Sequence, residues 1–298
     1  MKEQTGETYQ SSTLAKSMFV AESKVGKSAA IIANALGVFP SQKNGGIVDS
    51  PENLHVITFD ANALGGIQRF LTETCKAPPE ALKFRVYNLQ EDLRKVSTSQ
   101  LENDYTLYNT IHQALSKIAD RVRGVPVLHI SSLTGVAAGL HRALAGPAGK
   151  KKGGGMDQSK WTDYGMQLNE LRNWCQQDLW HCLWEAHVMR MASNGQNKDD
   201  EPKESLQLYG SAGQGFAFNV EQVFRLRRQF GQKFEGTNCD KVVFDTRPNM
   251  NCVANGRGFT EALAPQEPDL AAAFQKLGLK VGGWGAKSAK PSVVKAVK

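Results

Sequence analysis

The sequence predicts an α/β fold in which a mostly parallel central sheet is flanked by helices. Three observations lead there. Short apolar runs alternate with longer stretches of helical periodicity along most of the chain. The first such run leads directly into a Gly-Lys-Ser turn and then a helix. The composition, 41% hydrophobic and 22% charged over 298 residues, supplies one large buried core with appendages. No run of about 18 apolar residues occurs, which excludes a membrane-spanning helix. The polar start, Met1–Ser12, has no apolar signal region.

The elements follow in order. Ser17–Ala21 (S-M-F-V-A) reads as a strand, and Lys27–Leu36 as a helix that Gly37 terminates. His55–Asp60 is a second strand, Gly65–Cys75 a helix and Phe84–Tyr87 a short third strand. Leu101, Tyr105, Tyr108, Leu115, Ile118 and Val122 mark an amphipathic helix. Val125–Ile130 is a buried strand, and a helix follows it to about Ala145. After the Gly- and Lys-rich stretch 146–160, Trp161–Leu179 is helical and His181–His187 is a buried strand. Strands separated by helices imply parallel pairing with right-handed crossovers. Beyond His187 the pattern changes. Ser193–Gly213 reads as a long loop. Val220–Arg228, Lys241–Asp245 and Asn251–Ala254 read as an antiparallel extension, and a short helix lies within Pro265–Leu277. The expected organisation is a polar lead-in over 1–16, one domain over 17–278 and a basic flexible tail over 279–298.

Five cysteines in a chain of this length, an odd number without a secretory signal, read as reduced thiols and a cytoplasmic setting. Cys175, His181, Cys182 and His187 lie close together, but Leu168, Leu171, Cys175 and Leu179 step by three or four as a helical core stripe. No C-x-x-C hook accompanies them, so packing is the better reading than zinc.

Chemistry concentrates in Ala21–Ser28, A-E-S-K-V-G-K-S, which fits the Walker A pattern [AG]-x-x-x-x-G-K-[ST]. Successive backbone N–H groups of such a loop, with the helix N-terminus behind it, cradle phosphates. Gly26 lets backbone approach a phosphate, Lys27 reaches the β- and γ-phosphates, and the Ser28 hydroxyl ligates Mg²⁺. The predicted nucleotide contacts are Ala21, Glu22, Ser23, Lys24, Val25, Gly26, Lys27, Ser28 and Ala29, with ATP and Mg²⁺ as the implied ligands.

From Ser17 to Leu277 the order of features resembles the RecA-like P-loop ATPases, especially the phage-encoded ones linked to single-strand annealing and recombination. The resemblance rests on the loop above and on Thr58-Phe59-Asp60-Ala61-Asn62 ending the second strand. It also rests on the strand Val127-Leu128-His129-Ile130-Ser131-Ser132-Leu133-Thr134, on Glu185-Ala186-His187-Val188, and on Asn255-Gly256-Arg257-Gly258 with Glu267-Pro268-Asp269-Leu270. It implies that Ser131 stands where the family carries its Walker B Asp, beside Mg²⁺ with Ser28. It implies that Asn62 stands where the water-activating Glu usually sits. An Asn orients a water but takes no proton from it, so hydrolysis is expected to be slow or to draw on Asp60 or Glu185. His187 takes the place of the γ-phosphate sensor, and Glu185 shares its strand face at a spacing of two. The catalytic candidates are therefore Lys27, Asp60, Glu185 and His187. Glu185 also reads as a paired structural carboxylate, and His187 as a core histidine.

The net charge of +7 is unevenly placed. Lys280, Lys287, Lys290, Lys295 and Lys298, in a tail without acids, account for five of those charges. A second concentration, Lys150, Lys151 and Lys152, sits in a Gly-rich stretch with Lys160 and Trp161 nearby. RecA-like proteins turn two loops toward DNA, and here these fall at Gly146–Lys160 and about Met191–Gly213. Lysines on Gly-rich backbone track phosphates, and an aromatic stacks on a base. Lys150, Lys151, Lys152 and Lys160 are the expected contacts to single-stranded DNA. The second stretch carries Asp199, Asp200, Glu201 and Glu204 beside Lys198 and Lys203, so it is not basic. A homo-oligomer with Arg247 or Arg257 acting on a neighbour's phosphate, and phage replication or recombination proteins as partners, complete the expectation; no membrane partner is expected. Two other readings stand beside it: a catalytically degenerate nucleotide-binding scaffold, and a small-metabolite kinase using the same loop.

Overall fold

The computed structural model describes residues 13–22, 25–59, 61–89, 106–145, 156–191, 203–210, 215–229, 233–234, 237–238, 241–246, 255–256 and 267–285. Six strands form the parallel core of one sheet: β1 (Lys16–Ala21), β2 (Leu54–Thr58), β3 (Arg85–Asn88), β4 (Val127–Ser131), β5 (His181–Met191) and β7 (Gln222–Gln229). Antiparallel strands extend it. β6 (Lys203–Leu206) pairs with β5, while β10 (Lys241–Asp245) and β11 (Asn255–Gly256) both pair with β7. A separate hairpin joins β8 (Lys233–Phe234) to β9 (Thr237–Asn238). The spatial order is β10-β7-β1-β5-β4-β2-β3. The loop-bearing strand β1 thus lies between β5 and β7, with β5 inserted between it and β4. This is the order of a RecA-like P-loop sheet.

Strand alternation divides the apolar residues between two faces. Met18 and Val20 of β1 point into a core shared with α3 (Thr106–Ala119), α4 (Leu133–Leu144) and α5 (Gln158–Cys175). Phe19 and Ala21 point into the opposite core, shared with α1 (Lys27–Ala35), residues Ile67 and Leu71 of the segment that includes α2 (Ala61–Arg69), and α6 (Leu270–Lys276). Both faces are covered, as a parallel sheet requires. In α3, Leu107, Ile111, Ala114, Leu115 and Ile118 are buried at helical spacing. Cys175 and Cys182 are fully buried as packing residues, and burial raises both thiols. Among the described residues no group of three or more His, Cys, Asp or Glu is arranged to hold a metal ion.

Helix α1 is fixed at its C-terminal end. Its last turn closes through Gly37 N–H to Asn34 O at 3.1 Å and Val38 N–H to Ala33 O at 2.9 Å, with Gly37 left-handed at φ 66°. Buried Asn34 donates to Ala30 O at 2.9 Å and accepts the Leu270 N–H at 3.1 Å, which ties α6 to α1. The Asp269 side chain caps α6 by accepting the Ala272 N–H at 3.0 Å.

Three sequence expectations need correction. Val220–Arg228 was expected in an antiparallel extension, but β7 pairs parallel with β1, Ser17–Val20 against Gln222–Arg225; only β10 and β11 run antiparallel on its far side. The expected loop Ser193–Gly213 contains β6, because the polar K-E-S-L segment satisfies its backbone against Val188–Met191. The basic tail begins later than residue 279. Gly282, Gly283 and Trp284 donate to Ile47, Gly46 and Val48 carbonyls, and Gly46 N–H donates to Trp284 O at 2.7 Å. The first residues of the expected tail thus form an ordered ladder beside α1, and 286–298 lie outside the described residues. β11 stands at Asn255–Gly256, whereas the Asn251–Ala254 strand falls outside them. No helix is long and apolar enough to cross a membrane among the described residues.

A pH dependence follows from the packing at the start of β5. His181 is fully buried, stacks on Phe274 at 5.6 Å, and accepts the Ala15 N–H on Nδ1 at 2.8 Å. Burial pushes its imidazole down to about 4, and that of buried His55 likewise to about 4. A native group held neutral while the unfolded chain titrates near 6.5 stabilises the fold fully above that pH. The contribution falls as pH drops from about 6.5 toward 4. Each histidine is expected to withdraw about 2 kcal/mol by pH 5. Thermal unfolding at pH 7 and pH 5 checks this: the midpoint falls, and His181→Gln flattens the dependence. An equal midpoint at both values contradicts it.

Candidate functional site

The site is assembled at the carboxyl ends of β1, β4 and β5, on the face covered by α1, where an open α/β sheet presents its crevice. Ala21 is the buried last residue of β1, and the chain then turns through Glu22 toward Gly26, with Ser23 and Lys24 outside the described residues. Gly26 is the N-cap of α1, left-handed at φ 86°. A Cβ there meets nothing within 4 Å, so its dihedral rather than crowding calls for glycine. No side chain caps α1 and its first turn holds no acid. The helix therefore keeps its N-terminal N–H groups and positive dipole end for an external anion. Val25 and Ala29 pack against the α1-side core.

Lys27 is 3% exposed, and its Nζ donates to Glu22 O at 2.9 Å and Ala21 O at 3.4 Å. Burial lowers its pKa, and the Glu185 carboxylate partly offsets this. Ser28 Oγ donates to Glu185 Oε2 at 2.8 Å, and Ser131 Oγ donates to Ser28 Oγ at 3.2 Å. His129, fully buried on β4, places Nε2 3.4 Å from the same Glu185 oxygen, outside hydrogen-bond geometry. Burial alone raises the Glu185 pKa, but His129, Lys27 and Ser28 together outweigh it and leave the carboxyl below its ordinary value. A buried carboxylate is thus kept charged by three neighbours, one of them the P-loop hydroxyl.

His187 follows two residues beyond Glu185 on β5 and is half-buried. Its N–H donates to Thr134 Oγ1 at 2.9 Å and its carbonyl accepts the Gln207 N–H at 2.8 Å. Burial lowers its pKa, Lys27 adds to that and Glu185 opposes it. The strand end therefore fixes His187 from both sides, with Thr134 at the start of α4 and β6 behind it. Ser132 caps α4 by accepting the Gly135 N–H at 3.2 Å.

The structure brings together Lys27, Ser28, Ser131, Glu185 and His187. Asp60 lies outside the described residues, as do Lys150, Lys151, Lys152, Arg247 and Arg257; Asn62 is described only as backbone in the first turn of α2. Lys160 lies in the first turn of α5, with Nζ 3.9 Å from Asp163 Oδ2. Sequence reasoning missed His129 and Thr134. The available signal for His129 was its spacing of two from Ser131, which puts both on one face of β4.

Away from the P-loop, an aromatic cluster joins the ends of three elements. The His141 ring of α4 stacks on Tyr209 at 4.1 Å and 15°, and Trp161 of α5 lies 5.5 Å from His141. Gly210, left-handed at φ 65°, passes over the Trp161 ring, which a Cβ there would meet at 3.0 Å. Tyr209 is 43% exposed.

No protein-family profile matches the sequence, and no curated protein does. Among solved structures, the chain is similar to an ATPase from the type III secretion system of pathogenic bacteria, at 12% identity and a TM-score of 0.43. The match covers 72% of this chain and 51% of that one, so the chain spans about half the length of that ATPase.

Proposed function

We propose that the chain binds ATP with Mg²⁺ at Ala21–Ser28 and hydrolyses it slowly, acting on single-stranded DNA in annealing or recombination of the kind phage-encoded RecA-like proteins perform. The observation that carries ATP binding is the left-handed Gly26 opening an uncapped helix, with the Lys27 ammonium and Ser28 hydroxyl behind it. These groups fit the ligand. Lys27 is already desolvated, so its charge acts strongly on phosphates. Ser28, Ser131 and Glu185 offer oxygen donors suited to Mg²⁺. Bound Mg²⁺ supplies neutralisation of phosphate charge. Slow turnover follows from a site in which the buried carboxylate Glu185 is engaged by Ser28 and faces His129, and Ser131 brings none.

The DNA reading is supported by charge and by the aromatic cluster. The cluster stands at both stretches expected to face DNA: Trp161 directly follows Gly146–Lys160, and Tyr209, beyond β6, lies within Met191–Gly213. An exposed aromatic such as Tyr209, together with lysine-rich sequence, suits bases and phosphates. Oligomerisation, with a neighbour's arginine reaching the nucleotide, belongs to the same proposal.

The test is ATP hydrolysis with and without single-stranded DNA. We expect stimulation, and we expect the triple Lys150→Ala, Lys151→Ala, Lys152→Ala variant to lose about tenfold in DNA affinity at low salt with a shallower salt slope. Unstimulated hydrolysis and unchanged affinity and slope would remove DNA from the account. ADP release that depends on a small metabolite and ignores DNA would favour a kinase.

A further inference from the structure

We infer that Glu185, oriented by His129, is the carboxylate that supports Mg²⁺ in this P-loop, doing from β5 what an acid at position 131 would do from β4. This rests on the ATP-binding reading above. Four observations carry it. Ser28 Oγ, the hydroxyl expected to ligate the metal, already donates to Glu185 Oε2 at 2.8 Å. The residue at the end of β4 is Ser131, which reaches the same hydroxyl at 3.2 Å but carries no charge. Glu185 is 4% exposed, and Phe19 lies beside it on β1, so it reaches the P-loop from below rather than from solvent. His129 is fully buried with neither ring nitrogen hydrogen-bonded, and its Nε2 faces Glu185 Oε2 at 3.4 Å.

The geometry also separates this role from that of a general base. A base must face the attacking water beyond the γ-phosphate. Glu185 instead lies under the first turn of α1, against the P-loop serine. A buried anion is costly, and once the Lys27 ammonium turns to phosphate, a divalent ion at Ser28 is the partner that compensates it. His129 is a positioning residue: it sits two residues before Ser131 on the same strand face and meets Glu185 diagonally across the β4–β5 pair.

The experiment is the affinity of the intact chain for ATP measured in Mg²⁺ and again in EDTA, by equilibrium titration, with folding checked by thermal unfolding. The ratio of the two affinities reports what the metal contributes, independently of turnover. Glu185→Gln is expected to lose the Mg²⁺ enhancement, the ratio of the two affinities, about tenfold or more. His129→Leu is expected to lose a similar part, whereas His129→Gln, which retains an N–H donor at the reach of Nε2, keeps most of it. Moving the carboxylate back to β4 in the Ser131→Asp, Glu185→Gln double variant is expected to restore the enhancement. Should Glu185→Gln not fold, Glu185→Asp withdraws the charge from Ser28 by one methylene and is expected to show the same loss. An unchanged ratio in Glu185→Gln, or in Glu185→Asp when only that variant folds, overturns the inference and leaves ATP binding standing. Absence of ATP binding by the wild-type chain in both conditions overturns the proposed function, and the inference with it.

Discussion

Lys27→Ala is expected to weaken ATP binding about a hundredfold while leaving the fold intact. The side chain lies at the N-terminus of α1, where the left-handed Gly26 turns the chain back over β1, and its Nζ already reaches the carbonyls of Ala21 and Glu22. Those carbonyls belong to the loop that would wrap the phosphates, so the ammonium needs little movement to exchange them for phosphate oxygens. A charged hydrogen bond contributes about 1.5–3 kcal/mol, which corresponds to about 10- to 150-fold in affinity. The variant also removes the ammonium beside Glu185, but the His129 ring and the Ser28 hydroxyl remain. The unfolding midpoint should therefore change little. Titration with a fluorescent ATP analogue checks the affinity, and full affinity in the variant would place the nucleotide elsewhere.

The largest expected effect on stability is at Gly37. Its φ of 66° is left-handed, and a Cβ there would approach Gly46 N to 2.2 Å and Trp284 O to 2.4 Å, both backbone atoms. Neither neighbour is free to rotate away. Gly46 N–H donates to that same Trp284 carbonyl at 2.7 Å, and the 282–284 segment is pinned to 46–48. Gly37→Ala thus adds left-handed strain of about 1–2 kcal/mol to an overpacking cost of about 1–3 kcal/mol. For a chain this large, a loss of about 3 kcal/mol lowers the unfolding midpoint by roughly 6–12 °C. The contrast is Gly26→Ala, where φ is again positive but the space is open, so only the dihedral cost applies. A Gly37→Ala midpoint equal to that of the wild type would contradict the packing of the 282–284 ladder against α1.

How much of this was legible in the sequence depended on range. β1, the P-loop and α1 occupy one contiguous stretch with its own signals, the S-M-F-V-A run, Gly-Lys-Ser and Gly37, and the structure places β1 and α1 within a residue of the expected bounds. β7 was legible as a strand but not as a parallel one. Q-V-F-R-L-R-R-Q alternates equally well for either pairing, and its partner β1 lies about 200 residues earlier. β6 escaped because K-E-S-L has one apolar residue, and its strand character comes from pairing with β5. The start of the tail was misjudged because lysines and glycines dominate it, although Trp284 was a local sign of packing. In the site, the spacing of Glu185 and His187 was readable. The meeting of Glu185 with Ser28 and His129 was not, because it depends on β5 lying between β1 and β4.

The central claim is that this loop holds ATP, and isothermal titration of ATP with Mg²⁺ into the wild-type chain tests it most directly. The account predicts saturable binding with one nucleotide per chain, lost on Lys27→Ala. No heat of binding and no saturation at millimolar ATP, in a preparation that melts as a folded protein, would contradict it.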